Sequence, residues 1–202
     1  MKRVILILIV VFAFNVNSLL AQRFGVKGGF NLTNLKIENS DYSPKLGFHF
    51  GPVAEFHFGN IFGLETGMLL TTKGGKEKFA TTENKINLTY LEFPINARAG
   101  YDFGDYRVYG LFGPYIGVAI GGKYKTTFDG VTTSTKVDWG SDAGLKRFDA
   151  GITIGACTAV KIFEVGFSYS HGLVNISSWH NTKNRVFSVF MAYKFGKNPF
   201  KR

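Results

Sequence analysis

The 202 residues contain a single cysteine, Cys157, so the chain can form no intramolecular disulfide and offers no thiolate pair for metal or redox chemistry. Acidic residues are few: 14 Asp and Glu stand against 24 Lys and Arg, a formal charge of +10. The basic residues never gather into a Lys- or Arg-rich run with interleaved aromatics, which argues against nucleic acid as a partner. In an exported protein such an excess suits solvated loops and anionic surfaces such as lipopolysaccharide. Nor does any apolar run reach the about 20 residues that a transmembrane helix requires. The longest, residues 4–14, follows Lys2 and Arg3 and precedes Leu19-Leu20-Ala21. A basic start, a short apolar run and a small residue before Gln22 predict a cleavable signal peptide over residues 1–21 and a single mature domain over residues 22–202. Leu19 departs from the usual small residue three places before the cut, which leaves the cleaved bond open between neighbours.

Glycine (25) and phenylalanine (21) are plentiful, and they fall into a rhythm of alternation. Eight stretches read apolar, other, apolar, other: residues 23–31, 45–58, 62–72, 87–101, 106–122, 147–160, 163–170 and 184–195. On the second, Leu46, Phe48, Phe50, Ala54, Phe56 and Phe58 alternate with Gly47, His49, Gly51, Val53, Glu55 and His57. The three residues Gly59-Asn60-Ile61 join it to the third stretch and keep both apolar faces on one side of the hairpin, which sets Glu55 opposite Glu65. Short turns also follow at 102–105 and 161–162. The second of these lacks the usual Gly or Asn. If Tyr101 faces Tyr106 across the first, Arg98 lies opposite Tyr109. Long polar connections are expected at 32–44, 73–86, 123–146 and 171–183. An even number of strands puts both termini and all short turns at one rim, and the long loops at the other.

Alternation alone does not say which face is inside. The apolar face carries large aromatic and branched side chains, whereas the other is rich in Gly, Ser, Thr and Ala with isolated charges. An eight-stranded barrel has an interior just wide enough for its own side chains, which small residues and a few ions suit. A strand of about ten residues at roughly 45° crosses the ~25 Å apolar band of an outer membrane. Tyr101, Tyr106, Phe163 and Tyr193 fall near the turns, where an interfacial aromatic girdle is expected. The expected fold is therefore all-β, an eight-stranded antiparallel up-and-down transmembrane β-barrel in the outer membrane of a Gram-negative cell.

Five segments in order carry a family resemblance: Phe24-Gly-Val-Lys-Gly-Gly-Phe-Asn-Leu-Thr33, Tyr90-Leu-Glu-Phe-Pro94, Gly113-Pro-Tyr115, Phe148-Asp-Ala-Gly151 and Tyr169-Ser-His-Gly-Leu173. Over nearly the whole mature chain the sequence resembles the porin-like (PorT-type) outer-membrane β-barrel family of Bacteroidota. The resemblance implies an outer-membrane barrel, in a family most of whose members have no assigned biochemical activity. The C-terminus departs from the usual barrel ending, because seven residues follow Phe195.

Candidates for a specific role are few. The inward charges Lys27, Glu55, Glu65, Glu92, Arg98, Arg147 and Asp149 are expected to form one lumenal ion-pair network, since ions in a confined interior persist when paired. Tyr124, Phe128 and Trp139, in the third long connection, are candidate recognition residues, because exposed aromatics anchor many interfaces. No metal or cofactor is expected: His49 and His57 are about 26 Å apart along one strand, and His171 and His180 lack a nearby ligand partner. Catalysis is not expected either. Ser168, Ser170 and His171 are neighbours, with Asp142 or Asp149 elsewhere, but Ser170 and His171 point to opposite faces. The sequence thus predicts a monomeric, non-catalytic structural or surface-interaction protein, surrounded by lipid and lipopolysaccharide and inserted by the general barrel-insertion machinery. A narrow channel for small solutes, or an accessory of an outer-membrane secretion system, are the alternatives.

Overall fold

The computed structural model describes residues 23–37, 40–79, 82–140, 144–178 and 181–196; the expected signal peptide, Asp142 and His180 lie outside them. Among the described residues eleven strands are formed: β1 (Arg23–Ile37), β2 (Ser40–Asp41), β3 (Lys45–Phe58), β4 (Phe62–Gly67), β5 (Leu69–Phe79), β6 (Thr82–Phe103), β7 (Tyr106–Phe128), β8 (Val131–Lys136), β9 (Phe148–Val160), β10 (Phe163–Gly172) and β11 (Thr182–Gly196). Strands β4 and β5 are two halves of one wall strand, interrupted at Met68, and β2 and β8 are additions. The wall therefore has the eight strands expected.

The ring closes because β1 pairs antiparallel with both β3 and β11, Phe24 lying beside Ala54 on one side and Phe195 on the other. Closure leaves no free edge inside the bilayer, where an unpaired backbone group has no water to bind. The alternation decides the faces. Phe24, Phe30, Phe48, Phe50, Phe112, Ile116, Phe167 and Val189 all point outward and are exposed, as a lipid-facing surface requires. The start of β1, the end of β11 and the short turns share one rim, where Arg23 pairs with Gly196 and Phe103 with Tyr106. Exposed rings of Tyr101, Phe103 and Tyr106, and of Phe163, Tyr193 and Phe195, touch one another there. The tight reversal at 161–162 is made by Lys161 itself, which takes a left-handed φ of 54°.

Two expectations change. Across the β6–β7 turn the pairing is Tyr101 with Val108 and Phe103 with Tyr106, so Arg98 lies opposite Leu111 rather than Tyr109. The two-residue shift preserves parity, and Arg98 still stacks on the Tyr109 ring at 3.9 Å. The connections expected at 73–86 and 123–146 are in large part strand. Hairpin β5–β6 pairs as far as Phe79 and Thr82, and β7–β8 as far as Phe128 and Val131. Strand β7 has 23 residues, about 75 Å at ~3.3 Å per residue, far more than the apolar band needs. A four-stranded sheet, β5–β6–β7–β8, consequently stands beyond the outer rim. At its base Ile120 is unpaired: Tyr90 lies beside Ala119 and Thr89 beside Gly121. This bulge reverses which side chains of β7 face inward.

Candidate functional site: a sealed lumen beneath a raised sheet

The lumen is filled in tiers. Nearest the turns, three carboxylates from three strands, Glu55, Glu65 and Glu164, converge on four cations from three others, β1, β6 and β11. Arg98 contacts Glu55 at 2.8 Å, Glu65 at 3.0 Å and Glu164 at 2.6 Å, and donates to the Cys157 sulfur at 3.3 Å. Lys194 reaches the same three acids at 3.2, 2.5 and 3.1 Å. Lys27 contacts Glu65 at 2.5 Å and lies over the Phe190 ring at 4.2 Å. Arg23 adds a fourth cation 3.8 Å from Glu55, whose other oxygen meets His57 at 3.2 Å. The Arg107 guanidinium closes the rim below, holding Asp102 at 3.0 Å and the carbonyls of Gly100 and Asn60.

A second tier lies farther from the turns. Lys73 bridges Glu92 at 2.5 Å and Asp149 at 2.9 Å, and Asn184 and Tyr115 also donate to Asp149. Between the two tiers is a polar cavity of about 50 Å³ lined by Lys27, Asn31, His49, Thr71, Lys73, Glu92 and Asn96, among others. Its size and lining suit one or two water molecules. Above the second tier comes a dry layer: Leu35, Leu88, Tyr90, Ala119, Val137, Leu145 and Ile176, with Tyr42, Ile86 and Trp139 packed against it. Leu145 and Ile176 belong to the third and fourth connections, which cross the mouth and bond to each other through Lys146 N to Ile176 O and Ser178 N to Gly144 O. At the edge of this layer burial and the Glu77 carboxylate push the Tyr42 hydroxyl up from its ordinary pKa.

The expected single network is thus two clusters. Lys27, Glu55, Glu65 and Arg98 meet in the first; Glu92 and Asp149 meet in the second through Lys73, which the sequence reading placed in a loop. Glu164, Lys194 and Arg23 complete the first, and were not singled out beforehand. Arg147 belongs to neither. It precedes β9, is exposed, donates to the Ala119 carbonyl at 3.0 Å and lies 5.2 Å from the Trp139 ring. Its parity matched that of Asp149, but the bulge at Ile120 ends the regular β7–β9 pairing just there. In both clusters together, five cations (Arg23, Lys27, Lys73, Arg98, Lys194) meet five carboxylates (Glu55, Glu65, Glu92, Asp149, Glu164), the balance that burial of charge demands.

The three aromatic candidates separate. Phe128, at the tip of the raised sheet, is 60% exposed, and Tyr124 is about one-third exposed on its inner side. Trp139 packs on the dry layer instead. Ser170 bonds Thr153 at 2.8 Å, and His171 packs toward Tyr169. Among the described residues no group of His, Cys, Asp and Glu side chains is arranged to hold a metal ion.

A closed antiparallel ring, lipid-facing outside and ion-paired inside, defines an outer-membrane β-barrel. The profile of the outer membrane protein beta-barrel domain family matches residues 17–178, and the chain belongs to that family. It is a protein of the outer membrane. Similar solved structures include Ail, the attachment invasion locus protein of Yersinia pestis, at 16% identity over 87% of this chain and 100% of that one, with a TM-score of 0.44. Neisserial surface protein A is another, at 13% identity over 85% of this chain and 97% of that one, also with a TM-score of 0.44. No curated protein gives a significant match.

Proposed function

We propose that this is a non-catalytic surface-interaction barrel: a monomer whose sealed wall holds the raised sheet β5–β8 and its Phe128 tip in front of a partner outside the cell. In this reading residues 1–21 are a cleaved signal, the chain is of the porin-like (PorT-type) kind found in Bacteroidota, and the general insertion machinery assembles it among lipid and lipopolysaccharide. The observation that carries it is a contrast. The lumen is blocked by two charge clusters and a dry layer, while the sheet above exposes every residue of β8 and most of Phe128. A polar path would need an open lumen; recognition needs an accessible, rigid platform.

The test has two arms. The intact barrel in planar bilayers is expected to give no steady conductance, and a reproducible current would overturn the closed reading. Cells displaying a variant that lacks residues 126–138 are expected to insert the barrel normally but lose surface adhesion. Adhesion unchanged from wild type would remove the interaction role.

A further inference from the structure

Strands β7 and β8 set Lys123 and Lys136 directly opposite each other, on the outer face of the wall. Like charges in a cross-strand pair repel, and among the described residues neither ammonium has a carboxylate within ion-pair distance. One tier higher, Lys85 and Lys125 are likewise cross-strand partners, and Lys45 is near enough to be repelled by both. Glu83 holds Lys78 and Lys85 in this tier.

Below the Lys123–Lys136 pair lies a groove of about 480 Å³ lined by Ile120 and Trp139, with Asn87 and Thr89 on its flank and Val137 of the dry layer backing it from within. Ile120 is the last outward apolar residue of β7, so the groove starts where the lipid-facing band ends. Lys123 is three residues beyond it, about 10 Å along the strand and less in height once the strand tilts. That is the level of a phosphorylated headgroup. An apolar floor continuous with lipid, roofed by two ammonium groups with no ion-pair partner among the described residues, matches a molecule that is apolar below and anionic above.

We propose that this groove binds a phosphate group of an outer-leaflet glycolipid, with Lys123 and Lys136 as its paired ligands. The site rests on the outer-membrane position of the barrel and is independent of Phe128 and any protein partner. The phosphate relieves the repulsion between the two lysines, and the raised sheet is thereby clamped to the outer leaflet.

The experiment uses the purified mature barrel in detergent, titrated with diphosphorylated lipid A, with the same lipid A after enzymatic dephosphorylation, and with inorganic phosphate. Wild type is expected to bind the phosphorylated lipid at least tenfold more tightly than the dephosphorylated one. Lys123→Gln/Lys136→Gln is expected to lose that preference, and Lys123→Arg/Lys136→Arg to keep it. Equal binding of the two lipids by wild type, or a preference intact in the Gln pair, would overturn the site. Inorganic phosphate binding as tightly as the phosphorylated lipid would overturn the lipid as its source. Heat-modifiable migration on gels reports folding. If the Gln pair does not fold, Lys136→Gln on the exposed β8 strand takes its place, with a threefold or greater loss of preference expected and an unchanged preference overturning the site. Phe128→Ser is expected to leave all these affinities unchanged, which separates this site from the partner surface.

Discussion

Glu55 and Glu65 face each other directly across the β3–β4 hairpin, and the one ammonium of Lys194 reaches both, at 3.2 and 2.5 Å. The repulsion of a like-charged cross-strand pair is thereby converted into a tie between an early hairpin and the last strand, which can form only when the ring closes. Lys194→Met is expected to lower unfolding stability by about 3–5 kcal/mol, since it strands buried carboxylates. Pairing it with Glu65→Gln should restore part of the loss. Urea titration of the refolded barrel in detergent measures both, and a double variant no more stable than the single one would refute the tie.

Removing Arg98 tests whether the first cluster alone seals the lumen. Arg98→Ala takes away a side chain that meets all three acids, so a stability loss of about 3–5 kcal/mol is expected. The Lys73 cluster and the dry layer remain above it, and planar-bilayer recordings should still show no current. Conductance in this single variant would mean that the upper tiers do not close the pore.

Lys161 carries a left-handed backbone that L-residues adopt at a cost of about 1–2 kcal/mol. Lys161→Gly removes that strain but adds unfolded-state freedom. The net expected gain is about 0.5–1 kcal/mol, read as a higher urea midpoint; no gain would show that the Lys161 stem offsets the strain by packing.

Phe128 and Trp139 should respond in opposite ways. Phe128→Ser alters an exposed tip, so stability should stay within about 0.5 kcal/mol while adhesion falls. Trp139→Ala uncovers the dry layer and frees Arg147, with an expected loss of about 2–4 kcal/mol. Thermal unfolding of both variants beside an adhesion assay distinguishes the roles.

The sequence made the wall legible because alternation and a three-residue loop fix parity locally: Glu55 opposite Glu65 follows from Gly59-Asn60-Ile61 alone. The same alternation, with Phe163 and Tyr193 outward, turns Glu164 and Lys194 to the inner face. Their meeting with Arg98 depends on the stagger by which a ring closes, a property of all eight strands together that no local pattern encodes. Lys73 was misplaced because a polar, Gly-containing stretch resembles a loop; hydrophobicity stops reporting strand once the strand leaves the lipid. Arg147 was misassigned because parity was carried past the point where pairing breaks.

That break, the single unpaired Ile120, has a consequence for how such a surface can change over generations. Below it, the orientation of β7 is dictated by lipid; above it, the choice is free, and the extra residue selects which half of the sequence is displayed. Deleting one residue there would turn Tyr124 outward and Lys123 and Lys125 inward while leaving the membrane wall as it is. A one-codon change in length can therefore exchange a cationic display for an aromatic one, so the exterior of this barrel can be rewritten without renegotiating its insertion.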